Sequence, residues 1–269
     1  MSHSAKPLAL ALLGLLAAAP AARAEDSYSA NLAVASDYIF RGLSQTWGRP
    51  ALQGGYDAVL DNGVWAGAWA SSLSDKSYPG AAAELDLYAS YGRSFAADWN
   101  WRLGVYAYLY PGGNLDQARP ALPARRFDTL EVNAAFGWKW LTLKWNRSAG
   151  DYFGIDREQG YRGDSHGTRY LQLDASLPLA ESWTLSLHAG RTDVTTRLAA
   201  PLASGASDPS YQDLGATLKK QFTSRWSGSL GASHADNADF YRHTASFADP
   251  DERKDIGGTR VFALVQGIF

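Results

Sequence analysis

Thr259-Arg260-Val261-Phe262-Ala263-Leu264-Val265-Gln266-Gly267-Ile268-Phe269 is the stretch on which the reading of this chain turns. It reads as a β-strand running to the last residue given, with Val261, Ala263, Val265 and Phe269 on one face at period two. A soluble domain seldom finishes on an exposed aromatic strand, because chain ends fray. The same strand fits the closing position of a transmembrane β-barrel, paired with the first strand. An ordinary edge strand is the plain alternative, and the remaining sequence decides between them.

The N-terminus carries the marks of an export signal. Lys6 supplies a positive start, residues 8–19 an apolar core, and Ala22-Arg23-Ala24 a small-x-small cleavage site. That core is too short to cross a bilayer as a helix. Residues 1–24 are therefore expected to be a cleaved signal peptide, and residues 25–269 a single barrel domain. The chain has no cysteine, so a disulfide scaffold is excluded and stability must come from sheet closure or burial. Without Lys6 and Arg23 the formal charge of −2 becomes −4, and no basic patch points to nucleic acid. No later run of apolar residues is long enough for a transmembrane helix. Abundant Trp, Tyr and Gly with a slightly negative mean hydropathy suit a barrel with a polar interior and aromatic girdles.

Alternation recurs along the whole chain. In residues 28–40 the even positions (Tyr28, Ala30, Leu32, Val34, Ser36, Tyr38, Phe40) are largely apolar, while the odd ones are mostly small or polar. That length is unusual for a soluble strand and right for a tilted membrane crossing. Leu85, Leu87 and Tyr91 oppose Glu84, Asp86 and Ser90; Leu171 and Leu173 oppose Gln172 and Asp174; Leu185 and Leu187 oppose Ser186 and His188. Counting every such segment gives an all-β chain of about twelve antiparallel strands.

A soluble sandwich also alternates, but two regularities separate the readings. The connections 41–50, 74–82, 111–126, 148–168, 192–210 and 235–258 are long, and those between them, 61–63, 93–98, 137–140, 178–182 and 219–225, are short. Strict alternation of short periplasmic turns with long extracellular loops is a property of outer-membrane barrels. Each short turn is also followed at once by tryptophan: Trp65, Trp101 (after Trp99), Trp140, Trp183 and Trp226. An indole prefers the headgroup level, so these five predict a periplasmic aromatic girdle. Tyr38, Phe40, Tyr110, Phe127, Tyr170 and Tyr211, at the opposite strand ends, are expected to form the outer one.

Ser36-Asp37-Tyr38-Ile39-Phe40-Arg41-Gly42-Leu43-Ser44-Gln45-Thr46, with residues 50–55, 64–71, 84–88 and 151–154, resembles the TorF family of porin-like proteins. The resemblance spans most of the chain beyond the signal and is most specific in residues 36–71. It implies an outer-membrane barrel with a pore function, and it implies no catalytic residue and no substrate.

Charged side chains must face inward, because Arg or Lys at the lipid midplane costs about 2–4 kcal/mol. The expected pore lining contains the acids Asp37, Asp57, Glu84, Asp86, Glu131, Asp174 and Asp213. It also contains Arg41, Arg102, Lys144 and Lys219, with Gln45, Gln53 and His188. Glu131 and Lys144 are expected to lie near one diagonal of neighbouring strands. The slight acidic excess predicts weak cation preference. Residues 41–46 fold either into the barrel mouth as a constriction or into a turn in which Gly42 takes a special conformation. Asp174, Ser186 and His188 share the inner face, but Ser186 and His188 are two apart on one strand, roughly 7 Å, which is awkward for a nucleophile and its base. His234, Asp236 and Asp239, the tripeptide Arg162-Gly163-Asp164 and the acidic stretch 249–255 match no specific spacing.

The chain is thus expected to be a passive outer-membrane pore for small hydrophilic solutes, not an enzyme, with no cofactor and no metal. Its expected partners are outer-membrane lipids and lipopolysaccharide, and the barrel-assembly machinery, which would read Phe269 as its signal. Two alternatives stand beside it: an outer-membrane enzyme with catalytic groups at the rim, and a closed structural or adhesive barrel acting through its outer loops.

Overall fold

The computed structural model describes residues 26–269, so the expected signal peptide lies outside the described residues. Twelve antiparallel strands close on themselves. They are β1 (Ser27–Ala35), β2 (Ala51–Val59), β3 (Val64–Ser72), β4 (Ala83–Ala96), β5 (Trp99–Leu109) and β6 (Thr129–Trp138). The second half adds β7 (Leu141–Ser148), β8 (Arg169–Ala180), β9 (Trp183–Asp193), β10 (Tyr211–Gln221), β11 (Trp226–Ala235) and β12 (Gly258–Ile268). Each strand pairs with its sequence neighbours, and β12 pairs with β1 from Asn31 opposite Ile268 to Ala35 opposite Leu264. Closure leaves no unpaired edge, which a bilayer could not satisfy. Among the described residues no helix is long and apolar enough to cross a membrane, and the strands make the crossing.

The two faces separate as the alternation requires. Leu32, Val34, Leu103, Val132, Leu173, Leu214, Leu230 and Val261 are exposed on the outside. Glu84, Asp86, Glu131, Asp174 and Asp213 are buried inside. A water-facing surface with so broad an apolar belt would be an aggregation liability, whereas hydrocarbon matches it. Leu173→Arg, in mid-strand on the outer face, is expected to lower folding stability in lipid by about 2–4 kcal/mol. Urea titration of refolding into liposomes measures it, and an unchanged midpoint would contradict the lipid-facing assignment.

Three expectations need correction. The first strand does not run through residue 40: β1 leaves the wall at Ala35, and residues 39–40 pair with residues 43–44 in a separate hairpin inside the barrel. Alternation continues through Tyr38 and Phe40 because the hairpin is itself extended. Next, Tyr38, Tyr110, Phe127, Tyr170 and Tyr211 do not form an outer girdle; all are buried, while Phe40 is half-buried and packs with them. Their parity places them inward, and the long loops cover them. Finally, Trp65 does not belong to the girdle at the short-turn end. It follows Val64 by one residue, so the period-two rule turns it inward, where it is buried against Tyr88. Trp140 and Trp226 are exposed at that end, with Trp101 and Trp183 half-buried beside them. Phe95, Trp99, Phe136 and Trp138 extend the band, in ring contacts of 5.2–6.4 Å.

Candidate functional site

The feature that shapes the interior is the segment between β1 and β2, residues 36–50. Ile39 pairs with Ser44 and Phe40 with Leu43, and the two residues between them, Arg41 (φ 48°) and Gly42 (φ 80°), are both left-handed. Two consecutive positive φ values make the tight connection whose twist matches a hairpin. Glycine is required at the second position for a further reason. A Cβ there would lie 2.7 Å from Asp213 Cβ and 2.9 Å from Ala235 Cβ, so the hairpin tip presses its backbone against the wall at β10 and β11.

Polar contacts hold the hairpin at both ends. At its base, Asp37 accepts hydrogen bonds from Ser44 Oγ (2.6 Å) and Thr46 Oγ1 (2.9 Å) and faces Arg260 Nη1 at 3.4 Å. At its tip, Arg41 donates through both terminal nitrogens to Glu131, at 2.8 and 2.7 Å, and to Tyr152 Oη at 3.1 Å. The guanidinium also lies 4.2 Å from the ring centre of Tyr170 and 4.8 Å from that of Phe40. A planar two-pronged cation between a carboxylate and aromatic faces is a role lysine cannot copy. Glu131 therefore has Arg41 as its partner, not Lys144. In register Glu131 opposes Ser148 while Lys144 opposes Ala135, which puts the expected pair four positions apart.

The long loops pack over the hairpin. Trp47 is buried, donates its indole N–H to Glu252 and has its carbonyl held by Lys254 Nζ at 2.6 Å. Lys76 reaches the same Glu252 from another loop and, with Trp47, holds that carboxyl below the usual carboxylate range. Tyr78, Tyr110, Leu115 and Phe127 form an aromatic lid, with Tyr78 and Tyr110 stacked at 4.4 Å. Gln45 belongs to this lid, its amide tied to Tyr78 Oη (2.8 Å) and Leu43 O (2.8 Å), and it does not border the cavity below.

Beneath the hairpin lies a cavity of ≈ 240 Å³. Its two sides differ. Trp65, Trp69, Tyr88, Tyr106, Phe262 and Leu264 make one side, on β3, β4, β5 and β12; the inward apolar residues of the closing strand fall here. Gln172, Asp174, Ser186, His188, Thr217 and Ser233 make the other, on β8 to β11. Asp57 accepts from Tyr88 Oη at 2.7 Å, and Gln53 lies 3.4 Å from Ser71 Oγ. Arg102 covers the Trp65 ring at 4.4 Å and Lys144 the Tyr106 ring at 4.6 Å. Glu84 and Asp86 are buried under the lid, and neither oxygen of Glu84 nor Oδ1 of Asp86 has a hydrogen-bond partner. Lys219 faces inward one register step from the Lys220–Trp183 pair, near the short-turn end.

His188 is the centre of the polar side. Nδ1 lies 2.6 Å from Asp174 Oδ1, Nε2 lies 2.8 Å from Asp213 Oδ1, and Tyr170 Oη is 2.8 Å from Nε2. With a carboxylate at each ring nitrogen, the imidazole has no free nitrogen for Ser186, so no nucleophile and base pair is assembled. Sequence parity placed Asp174, His188 and Asp213 on the inner face, but it did not reveal that one imidazole joins all three strands. Tyr152 was missed because it sits in a loop, where alternation carries no information, and Tyr170 was assigned to the outer girdle although it shares the inward parity of Gln172 and Asp174.

A family model described as "Bacterial protein of unknown function (Gcw_chp)" matches residues 18–256. No curated protein matches the chain in sequence. Among solved structures the chain is similar to a KdgM porin in complex with disordered oligogalacturonate, with 8% identity, a TM-score of 0.52, and 90% of this chain and 98% of that one covered. Another structure of the KdgM porin gives 10% identity and a TM-score of 0.49 over 90% of this chain and 99% of that one. The P. putida toluene transporter TodX gives 11% identity and a TM-score of 0.45 over 92% and 89%. At 8% identity the first likeness speaks to the fold, a closed membrane barrel, and to nothing finer.

Proposed function

We propose that this chain, which belongs to the Gcw_chp family of bacterial proteins, is an outer-membrane pore giving passive passage to small hydrophilic solutes. The observation that carries the proposal is the closed barrel with charged and hydroxyl side chains turned inward along its whole height. A barrel that served only as an anchor has no use for a hydrated interior, because apolar side chains would fill it at lower cost. His188 forms no nucleophile and base pair with Ser186, since both its nitrogens are engaged by carboxylates. The resemblance of residues 36–71 to the TorF porins is in line with it. The same reading has residues 1–24 removed on export, the short turns in the periplasm, and lipid, lipopolysaccharide and the barrel-assembly machinery as partners, the last acting on Phe269.

One observation favours a second reading. The hairpin crosses the lumen from β1 to β6, β10 and β11, and the loops seal it from above. A barrel held in that state is closed and acts through its loops. Recording refolded protein in a planar bilayer separates the two. Discrete conductance steps are expected for the pore; their absence at every voltage would leave the closed barrel.

A further inference from the structure

We infer that the cavity below the hairpin is a binding site for a single ring bearing a carboxylate, and that solutes of this class are what the lumen selects. The inference rests on the pore reading for the word solute, but not for the site. Most charges that border the cavity already have partners. Asp37 is held by Ser44, Thr46 and Arg260, Asp57 by Tyr88, and Asp174 and Asp213 by His188. The cation Arg41 is taken by Glu131. Lys144 is different: it borders the cavity and makes no ion pair or hydrogen bond among the described residues, its ammonium resting on the Tyr106 ring. Of the charges that line the cavity, Lys144 and Asp86 thus remain without a partner among the described residues.

A second observation points the same way. Trp65 also borders the cavity, and its buried indole N–H has no acceptor among the described residues. Two donors without acceptors ask for a ligand rich in oxygen acceptors, and a buried donor left alone costs about 1–3 kcal/mol. The surface between them is aromatic: Trp65 packs on Tyr88 at 5.1 Å, and Tyr88 stacks on Tyr106 at 5.0 Å. Flat or apolar ring faces of a ligand stack on such rings. Opposite stand Gln172, Ser186, Thr217 and Ser233, able to bond ring substituents. Asp86, the remaining unpaired lining group, lies on β4, with β5 and β6 between it and Lys144 on β7, so it orients the carboxylate toward the lysine. At ≈ 240 Å³ the space is below the roughly 300 Å³ where pockets for larger ligands begin, and it holds one ring at a time.

The test is calorimetric titration of the refolded full chain in detergent, with benzoate and glucuronate as the two kinds of ring carboxylate. Benzamide, glucose and benzylamine serve as neutral and cationic controls. One or both carboxylates are expected to bind, and the one that does identifies an aryl or a sugar ring. The matching neutral ring is expected to bind about tenfold more weakly or worse. Lys144→Gln should weaken the carboxylate by a similar factor and Lys144→Arg should restore it, with folding checked by the heat-dependent gel shift of the barrel. Equal binding of neutral and charged rings, tighter binding of benzylamine, no binding at all, or an unaffected K144Q would each overturn the inference. Conductance is scored separately. Lysine-dependent binding without current steps would sink the pore and leave the site, whereas steps without carboxylate binding would do the reverse.

Discussion

Arg41→Ala is expected to have the largest effect of any single change on passage through the barrel. The guanidinium is the tip anchor of the hairpin: it makes three hydrogen bonds, to Glu131 and Tyr152, and rests on the Tyr170 and Phe40 rings. Removing it leaves Glu131, 1% exposed, as a buried charge without its partner. Breaking one side of such a pair typically costs about 3–5 kcal/mol. The base anchors at Asp37 remain, so the hairpin is expected to swing from its base and not to unfold. Single-channel conductance should therefore rise severalfold while the urea midpoint falls. Arg41→Lys should lie between, because an ammonium cannot hold both oxygens of Glu131 and lie flat on Tyr170. The decisive comparison is R41A with R41A/E131Q. The double variant keeps the channel open but removes the stranded charge, so it should recover part of the lost stability. Unchanged conductance in R41A together with normal folding would contradict the view that the anchored hairpin obstructs the lumen. Gly42→Val is an independent way to the same state, since any Cβ there collides with Asp213 and Ala235.

The barrel was legible in the sequence because its signals repeat. Period-two alternation recurs in most wall strands, and loop length alternates strictly, so the two weak strands, residues 51–60 and 64–73, could be placed by their neighbours. The hairpin was half legible. Gly42 marked a turn with a special conformation, but nothing local distinguishes a turn at the rim from one that folds back into the lumen. That choice depends on partners 90 and 111 positions away, Glu131 and Tyr152. The misplacement of Trp65 has a simpler cause. Counting tryptophans after turns ignored that Val64 takes the outward position first, so the indole one residue later points in. The outer girdle failed for the same reason as Trp65: Tyr110, Tyr170 and Tyr211 share the parity of Tyr108, Gln172 and Asp213, which turns them inward under the loops.

His188→Ala is expected to be the most destabilising change inside the wall. The imidazole joins Asp174 on β8 to Asp213 on β10 while sitting on β9 between them, and Tyr170 closes the group by reaching both His188 and Asp213. Each ring nitrogen donates to a carboxylate only when the ring carries both protons, so the group reads as one cation between two anions. Alanine takes away the cation and leaves two carboxylates on the strands either side of β9, 7% and 1% exposed, with Gln172 and Tyr170 as their remaining side-chain donors among the described residues. The expected loss is again about 3–5 kcal/mol, seen as a lower urea midpoint and a lower yield of the compact form on refolding. Charge and packing are separated by adding Asp213→Asn to the alanine variant. If the stranded charges carry the loss, H188A/D213N is more stable than H188A alone; if the cavity left by the ring carries it, the second change makes matters no better. The bridge also bears on the hairpin, because Asp213 is the residue against which Gly42 is pressed. Freed from His188, Asp213 can shift, and the hairpin tip loses its seat. His188→Ala should thus raise conductance as well as lower stability, whereas a lipid-face change such as Leu173→Arg lowers stability alone. Loss of stability with no change in conductance would show that the bridge braces the wall without reaching the hairpin.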